Sequence, residues 1–85
     1  MGANVLEQNR QKVSLELDLK GLACPLPLLK MKLALKKLEV GQLIYVETTD
    51  GGSWADFHKF SDITGNSLVN AEALAESYHF IIKKG

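Results

Sequence analysis

Every second position is apolar between residues 13 and 19, and the positions between them are polar or charged. This period of two predicts a β-strand with one buried face. Residues 1–12 are mostly polar and show no such period, so we predict a flexible N-terminal tail there. The rest of the chain, 13–85, has the length of one small domain.

The apolar spacing then changes from that of a strand to that of a helix, predicted from Pro25 to about Leu38. Gly41 follows shortly after, where glycine commonly stops a helix. The core-facing side of this helix is predicted from apolar residues at i, i+3, i+7 and i+10: Leu28, Met31, Leu35 and Leu38.

A second apolar stripe of the same helix, here called the leucine stripe, consists of Leu26, Leu29 and Leu33. At about 100° per residue it faces roughly away from the core-facing side. A helix lying on a sheet cannot bury both sides by itself. Either another element of the chain covers the leucine stripe, or the stripe is a docking surface for a partner protein.

A second helix is predicted from Trp54 to about Thr64. Residues 53–56 resemble a capping box with Asp in place of Glu, in which Ser53 is the N-cap, and Gly65 is the expected C-terminal stop. Its aromatic residues recur at every third position and are predicted to pack on the sheet: Trp54, Phe57 and Phe60.

Strands are predicted on either side of this second helix. Residues 42–49 contain a continuous apolar run rich in β-branched and aromatic types, which suits a central strand. Residues 77–83 show the composition of a last strand.

The charge and cysteine content narrow the possible functions. Ten basic and ten acidic residues balance, which argues against a nucleic-acid binder that neutralises phosphates. No apolar run is long enough to cross a membrane, and the first residues show no signal-peptide core, so we expect a cytoplasmic protein. A single cysteine excludes an internal disulfide, so any exchange must involve a partner molecule.

The only cysteine and both prolines fall in one short stretch, Cys24-Pro25-Leu26-Pro27. Proline is favoured at the first helical position, so we predict Cys24 as the N-cap and Pro25 as the first helical residue. Because both prolines lack an N–H, the Leu26 N–H is the predicted local donor to the sulfur. A helix N-terminus favours the thiolate, which predicts a Cys24 pKa below the value of about 8.5 for a free thiol. The alternative is a buried, inert cysteine that happens to start a helix.

Residues around the cysteine motif are candidates for supporting roles. Gly21 permits a backbone turn that other residues resist. Lys20 and Lys30 are placed to attract acidic partners or an anionic sulfur, against the alternative of an ordinary solvated basic face. Asp50 follows the second strand and is either close to Cys24 or a plain turn residue.

The two histidines are far apart in sequence and, with one cysteine, give no recognisable metal-ligand spacing. We therefore expect no metal site and no histidine acting as a base on Cys24. His58 is predicted at a solvated helix position and His79 on an exposed strand face.

Residues 17–27, Leu-Asp-Leu-Lys-Gly-Leu-Ala-Cys-Pro-Leu-Pro, resemble the signature of the TusA/SirA-like family of small sulfur-carrier proteins. The sequence departs from the family pattern at Gly51-Gly52, where a proline is common, and at Asn66, where histidine is often found. The likeness covers roughly 13–84 and continues in order through Gly41-Gln42-Leu43, Thr49-Asp50, Asp56-Phe57, Thr64-Gly65-Asn66-Ser67-Leu68 and Phe80-Ile81-Ile82-Lys83.

This resemblance implies an α+β fold, a βαβαββ two-layer sandwich with a mixed four-stranded sheet and two helices on one face. It also implies a strand at about 68–74, although the alanines and glutamates there favour helix. The same resemblance implies that Cys24 carries sulfur as a persulfide, with no separate cofactor. The sulfur would come from a donor protein, such as a cysteine desulfurase or a rhodanese-like protein, and pass to an acceptor protein.

We expect a monomeric carrier without nucleic-acid or membrane partners, and at most a component of a sulfurtransferase rather than a stand-alone enzyme. The resemblance leaves tRNA thiolation, molybdenum-cofactor biosynthesis and sulfur oxidation open as destinations. A different class of function is a non-enzymatic binding or regulatory module, in which the Cys-Pro-x-Pro turn only starts a helix and the leucine stripe binds a protein. In that case Cys24→Ser would keep function in cells and Leu29→Lys would abolish it.

Overall fold

The computed structural model describes residues 13–85, and the predicted tail over 1–12 lies outside the described residues. The order of elements confirms the predicted βαβαββ arrangement. The elements are β1 (Leu15–Leu19), α1 (Leu26–Leu35), β2 (Leu43–Thr48), α2 (Gly52–Ile63), β3 (Ser67–Leu74) and β4 (Ser77–Lys83).

The four strands form one mixed sheet in the order β1-β2-β4-β3. β1 runs parallel to β2, with Leu17 opposite Val46, while β4 is antiparallel to both of its neighbours. A parallel neighbour requires a crossover connection, which α1 provides between β1 and β2. This arrangement confirms the predicted mixed sheet, with β2 and β4 at its centre.

Both helices pack on the same face of the sheet, as predicted. Phe57 and Phe60 of α2 are buried there, and Trp54 packs against the same core. Fully buried rings and aliphatic groups fill this layer between the helices and the strands. The buried core residues are Leu19, Met31, Ala34, Leu35, Ile44, Val46, Phe57, Phe60, Phe80 and Ile82.

α1 is shorter than the spacing predicted, because it ends at Leu35 rather than near Leu38. The Leu38 N–H donates to the Leu35 carbonyl, an i to i−3 bond that tightens the chain beyond the last α-helical turn. Leu38 still packs against the core, and so does Leu28, while Met31 is fully buried. The core-facing side of α1 is therefore confirmed, and Ala34 belongs to it as well.

The predicted N-cap of α2 is wrong, whereas Gly65 directly follows the C-cap, as predicted. The helix begins at Gly52 with Gly51 as its N-cap and without a side-chain cap, so Ser53 lies inside it. The Ser53 hydroxyl is buried and hydrogen-bonds to Thr48 Oγ1 at 3.3 Å instead. At the other end Thr64 is the C-cap, and its hydroxyl donates to the Phe60 carbonyl at 2.8 Å.

The strand predicted over 68–74 is confirmed as β3, against the helical propensity of its alanines and glutamates. It pairs with β4 along its length, with an irregularity between Leu68 and Asn70. The Ser61 hydroxyl of α2 accepts a hydrogen bond from the Leu68 N–H at 2.9 Å. Tertiary pairing therefore decides the structure of this segment.

No helix in 13–85 is long and apolar enough to span a bilayer.

Both histidine environments differ from the prediction. His79 is 9% exposed on the sheet face away from the helices, where it is hydrogen-bonded to the Tyr45 hydroxyl and, at 2.8 Å, to Ser77 Oγ. Its burial follows from its place on β4, which has a neighbouring strand on both sides. His58 is half-buried, because its ring lies 4.8 Å from that of Trp54 and its Nδ1 donates to the Trp54 carbonyl.

Candidate functional site

The loop between β1 and α1 carries Cys24 and is anchored to the end of β2. The Gly21 N–H donates to Thr49 Oγ1 at 2.9 Å, and the Leu22 N–H donates to the Leu19 carbonyl at 3.3 Å. Gly21 has a φ of +85°, a conformation that costs little only for glycine. The predicted turn at Gly21 is thus confirmed, and it sets the path of the chain into Cys24.

We expect Gly21→Ala to lower the free energy of unfolding by about 1–2 kcal/mol, because its φ is strained for any residue with a Cβ. Space does not limit the substitution, since no atom lies within 4 Å of the added Cβ. Gly65→Ala is the matched control, because that Cβ is equally free and Gly65 does not have a positive φ. Urea unfolding measures both variants, and equal stabilities would contradict the prediction.

The start of α1 lies one residue later than predicted. Pro25 is the N-cap and Leu26 the first helical residue, so Cys24 precedes the cap, and the peptide bond between Cys24 and Pro25 is cis. The Leu26 N–H donates to the Ala23 carbonyl at 2.9 Å and not to the sulfur. The predicted donor is wrong because a backbone turn over residues 23–26 uses it first. Pro27 is buried in the first turn of the helix.

The sulfur of Cys24 is exposed and lies next to a carboxylate from the second helix. Cys24 is a free cysteine, and its Sγ donates a hydrogen bond to Asp56 Oδ2 at 3.4 Å. Asp56 is half-buried in the second turn of α2. The exposure of Cys24 excludes the alternative of a buried structural cysteine.

A second carboxylate reaches the same place through the turn before α2. A Cβ built on Gly52 would lie 3.3 Å from Asp50 Oδ2 and 3.9 Å from the Cys24 Cβ. The absence of a side chain at Gly52 therefore lets Asp50 and Cys24 approach each other. The Ser53 hydroxyl donates to Asp50 Oδ2 at 3.4 Å and helps hold that carboxylate.

These two carboxylates favour the protonated form of the thiol. The hydrogen bond to Asp56 raises the Cys24 pKa above its ordinary value, and partial desolvation and the negative charges of Asp56 and Asp50 act in the same direction. The predicted lowering of this pKa is wrong. The N-terminus of α1 offers the sulfur no N–H from Leu26, while the carboxylate of Asp56 is in direct contact.

Asp56 is the residue of the site that sequence reasoning missed. It appears in the motif Asp56-Phe57, but the local pattern assigned it to a capping box at the start of α2. The helix begins earlier than that box requires, which frees the Asp56 side chain for Cys24. The available signal was the Asp at the position where a capping box has Glu or Gln.

The two lysines predicted to support the site lie in different surroundings. Lys20 Nζ is 3.2 Å from Asp18 Oδ1 and 3.4 Å from Glu47 Oε1, and the contact with Asp18 raises the Lys20 pKa. Lys20 is thus paired with acidic side chains of β1 and β2. Lys30 is exposed on α1, in the turn that follows the cysteine motif.

The leucine stripe is exposed, so no element within residues 13–85 covers it. Leu26, Leu29 and Leu33 are 44%, 47% and 61% exposed. An open groove of about 440 Å³ lies beside the stripe, and the ring of Phe60 forms part of its wall. Other lining residues are Leu29, Lys32, Leu33, Lys36 and Lys84. This surface combines apolar side chains with a basic rim.

Within residues 13–85, no three His, Cys, Asp or Glu side chains are grouped so that they could hold a metal ion. In chemical terms the site is an exposed thiol on an anchored loop, and the thiol donates a hydrogen bond to a carboxylate of the neighbouring helix.

Comparison with known proteins finds relatives that match most of the chain. The family model described as sulfurtransferase TusA matches residues 15–84, which is most of the chain. The sulfur carrier protein TusA of Allochromatium vinosum is 45% identical over 69 residues, covering 81% of this chain and 91% of that protein. The putative sulfur carrier protein YrkI of Bacillus subtilis is 39% identical over 69 residues, covering 81% of this chain and 92% of the relative.

A longer relative matches through part of its length. The putative sulfur carrier protein YrkF of Bacillus subtilis is 38% identical over 74 residues, which cover 87% of this chain and 40% of YrkF. The family model and the relatives of similar length together cover the cysteine loop, both helices and the sheet. The chain belongs to the TusA family of sulfurtransferases.

Proposed function

We propose that this protein carries sulfur as a persulfide on Cys24, accepting it from a donor protein and relaying it to an acceptor protein. The observation that carries the proposal is the exposed sulfur of Cys24 on a loop anchored by the Gly21–Thr49 hydrogen bond. A relay between two active sites needs a sulfur at the edge of a small, rigid protein, where a partner can enclose it. Membership of the TusA family supports the same role.

The transfer step is a thiol exchange without net oxidation. The deprotonated Cys24 sulfur attacks the terminal sulfur of the donor persulfide, so that one S–S bond forms at Cys24 while the S–S bond in the donor breaks. The donor cysteine leaves as a thiolate and takes up the proton that Cys24 lost. Release to the acceptor runs the same exchange in the other direction, and Cys24 regains its thiol.

This chemistry needs no cofactor on the carrier, because the sulfur is held covalently by Cys24. The donor must itself form a persulfide, so a cysteine desulfurase or a rhodanese-like protein has suitable chemistry. We place the relay in the cytoplasm, since reducing compartments keep a lone thiol free. The acceptor, in tRNA thiolation, molybdenum-cofactor biosynthesis or sulfur oxidation, determines the destination of the sulfur.

Loading from a cysteine desulfurase with radiolabelled cysteine tests the proposal. We expect the protein to gain the mass of one sulfur atom and the label, and Cys24→Ser to gain neither, because serine cannot form a persulfide. Because Cys24 is exposed, we expect the urea midpoint of unfolding of Cys24→Ser to equal that of the wild type, so a loss of labelling would not reflect unfolding. Absence of label on Cys24, or equal labelling of Cys24→Ser, would refute sulfur carriage on this residue.

A second candidate function is that of a protein-binding module, which the exposure of the leucine stripe favours. Leu33 is 61% exposed beside the groove, and Lys32 and Lys36 stand at the rim. Apolar surface with a basic rim suits a partner that presents apolar and acidic side chains. The two candidate functions differ in whether they need the Cys24 sulfur. A binding module would keep its function in cells when Cys24 is replaced in Cys24→Ser, whereas a sulfur carrier would lose it.

A further inference from the structure

The hydrogen bond between Cys24 and Asp56 joins the cysteine loop to α2. The two residues are separated by 32 positions, and Sγ lies 3.4 Å from Asp56 Oδ2. The S–H group is the donor of this bond and the Asp56 carboxyl oxygen is its acceptor, so the bond requires that Cys24 be protonated. Its geometry therefore describes the empty carrier, before sulfur is attached.

On the basis of the proposed function, we propose that Asp56 is a positioning residue that distinguishes the empty carrier from the loaded one. Asp56 holds the empty thiol by accepting its hydrogen bond, and it releases the sulfur when a persulfide forms on Cys24. This role of Asp56 determines when the Cys24 sulfur is held against α2, and it is additional to the sulfur transfer itself.

The release follows from the chemistry of the two sulfur states. In a persulfide, Sγ is bonded to carbon and to the terminal sulfur and has no hydrogen to donate. The terminal sulfur is more acidic than a thiol and carries negative charge, so the carboxylates of Asp56 and Asp50 repel it. The loaded sulfur should therefore turn away from α2 and towards an approaching partner.

The charged groups that act on Cys24 come from two places in the fold and have the same sign. Asp56 belongs to α2, and Asp50 lies in the turn between β2 and α2. Both favour the neutral thiol over the thiolate. Removing the charge of Asp56 therefore removes the larger of the two contributions to the raised Cys24 pKa and leaves that of Asp50 in place.

The pH dependence of alkylation by iodoacetamide tests the holding role. For Asp56→Asn we expect the inflection to fall by about 1 pH unit relative to wild type. The thiolate fraction at pH 7 then rises about tenfold. Since a less basic thiolate is a weaker nucleophile, the alkylation rate at that pH should rise roughly threefold. Asp62→Asn is the matched control, because Asp62 is an exposed carboxylate of the same helix.

Loading by glutathione persulfide tests the consequence for sulfur transfer without a partner protein. Glutathione leaves as its thiol while the sulfur and the negative charge pass to Cys24. We expect Asp56→Asn to load roughly threefold faster than wild type at pH 7. Above the wild-type inflection the order should reverse, because both thiols are then deprotonated and the less basic thiolate of the variant is the weaker nucleophile. Asp56→Ala, which removes both the charge and the acceptor, should behave like Asp56→Asn.

An unchanged inflection in both Asp56 variants, or an equal shift in Asp62→Asn, would overturn the proposal. A lowered inflection without faster loading at pH 7 would also overturn it. Alkylation needs no persulfide, so its result is independent of sulfur carriage. Wild-type protein that never gains sulfur from a desulfurase would instead refute the proposed function, whatever the alkylation profiles show.

Discussion

Phe80→Ala is expected to lower the free energy of unfolding by about 3–5 kcal/mol. Phe80 lies at the centre of the helix-facing side of the sheet and is fully buried. Its ring centroid is 4.5 Å from that of Phe57 and 5.8 Å from that of Trp54, so alanine would leave a cavity beneath both α2 rings. A domain of this size has only about 5–15 kcal/mol of stability, so much of it would be lost.

Urea unfolding followed by circular dichroism measures this effect independently of Trp54 fluorescence. Ile63→Ala is the control. Ile63 is also a large apolar residue, but it lies at the end of α2 and is 72% exposed. We expect that variant to change stability by no more than about 0.5 kcal/mol. Similar losses in both variants would show that Phe80 is not the centre of the core.

Leu29→Lys is expected to slow sulfur transfer from a donor protein about tenfold or more, with loading by glutathione persulfide unchanged. Leu29 is 47% exposed on the leucine stripe and lines the groove beside it. A partner that covers this surface would have to bury the new ammonium group, which is costly unless the charge is paired. A loss of about 1.4 kcal/mol of binding free energy between the donor and this protein accounts for a tenfold slower transfer.

Val40→Lys is the matched control, because it adds the same charge to another exposed apolar residue, in the loop between α1 and β2. Transfer rates from a cysteine desulfurase to each variant separate a local effect from a general effect of charge. Equal rates for Leu29→Lys and wild type would show that the donor does not use the leucine stripe. Retained cellular function in Cys24→Ser, together with its loss in Leu29→Lys, would favour the binding module.

Much of the fold could be predicted from local pattern. The alternation over 15–19 and the aromatic spacing of Phe57 and Phe60 each place side chains on one face of an element, and a burial pattern of this kind is visible in sequence. The predicted alternation is wrong at Val13, which precedes β1 and packs against Tyr45 and Ile81 instead. Gly21 was identified because a left-handed turn leaves glycine as the favoured residue. β3 was predicted correctly only through the family resemblance, since its own propensity is helical.

Two of the errors share one cause, which is competition for a hydrogen-bonding group by a partner that the local pattern does not show. The Leu26 N–H donates to the Ala23 carbonyl, and the Ser53 hydroxyl bonds to Thr48 and Asp50 instead of capping α2. His79 was predicted as exposed because its burial depends on strands that pair on both sides of it.

The sequence by itself determined that the single cysteine lies just before a helix with prolines at its start, which elements surround it, and which family the chain resembles. Only the tertiary structure decided whether the surroundings of that sulfur favour the thiol or the thiolate. Folding brings Asp56 within 3.4 Å of Cys24 across 32 positions, and this contact raises the pKa of the thiol where the helix start alone predicted a lower one. Electrostatic interaction depends on distance in space and not along the chain, so this reversal could not be read from the motif.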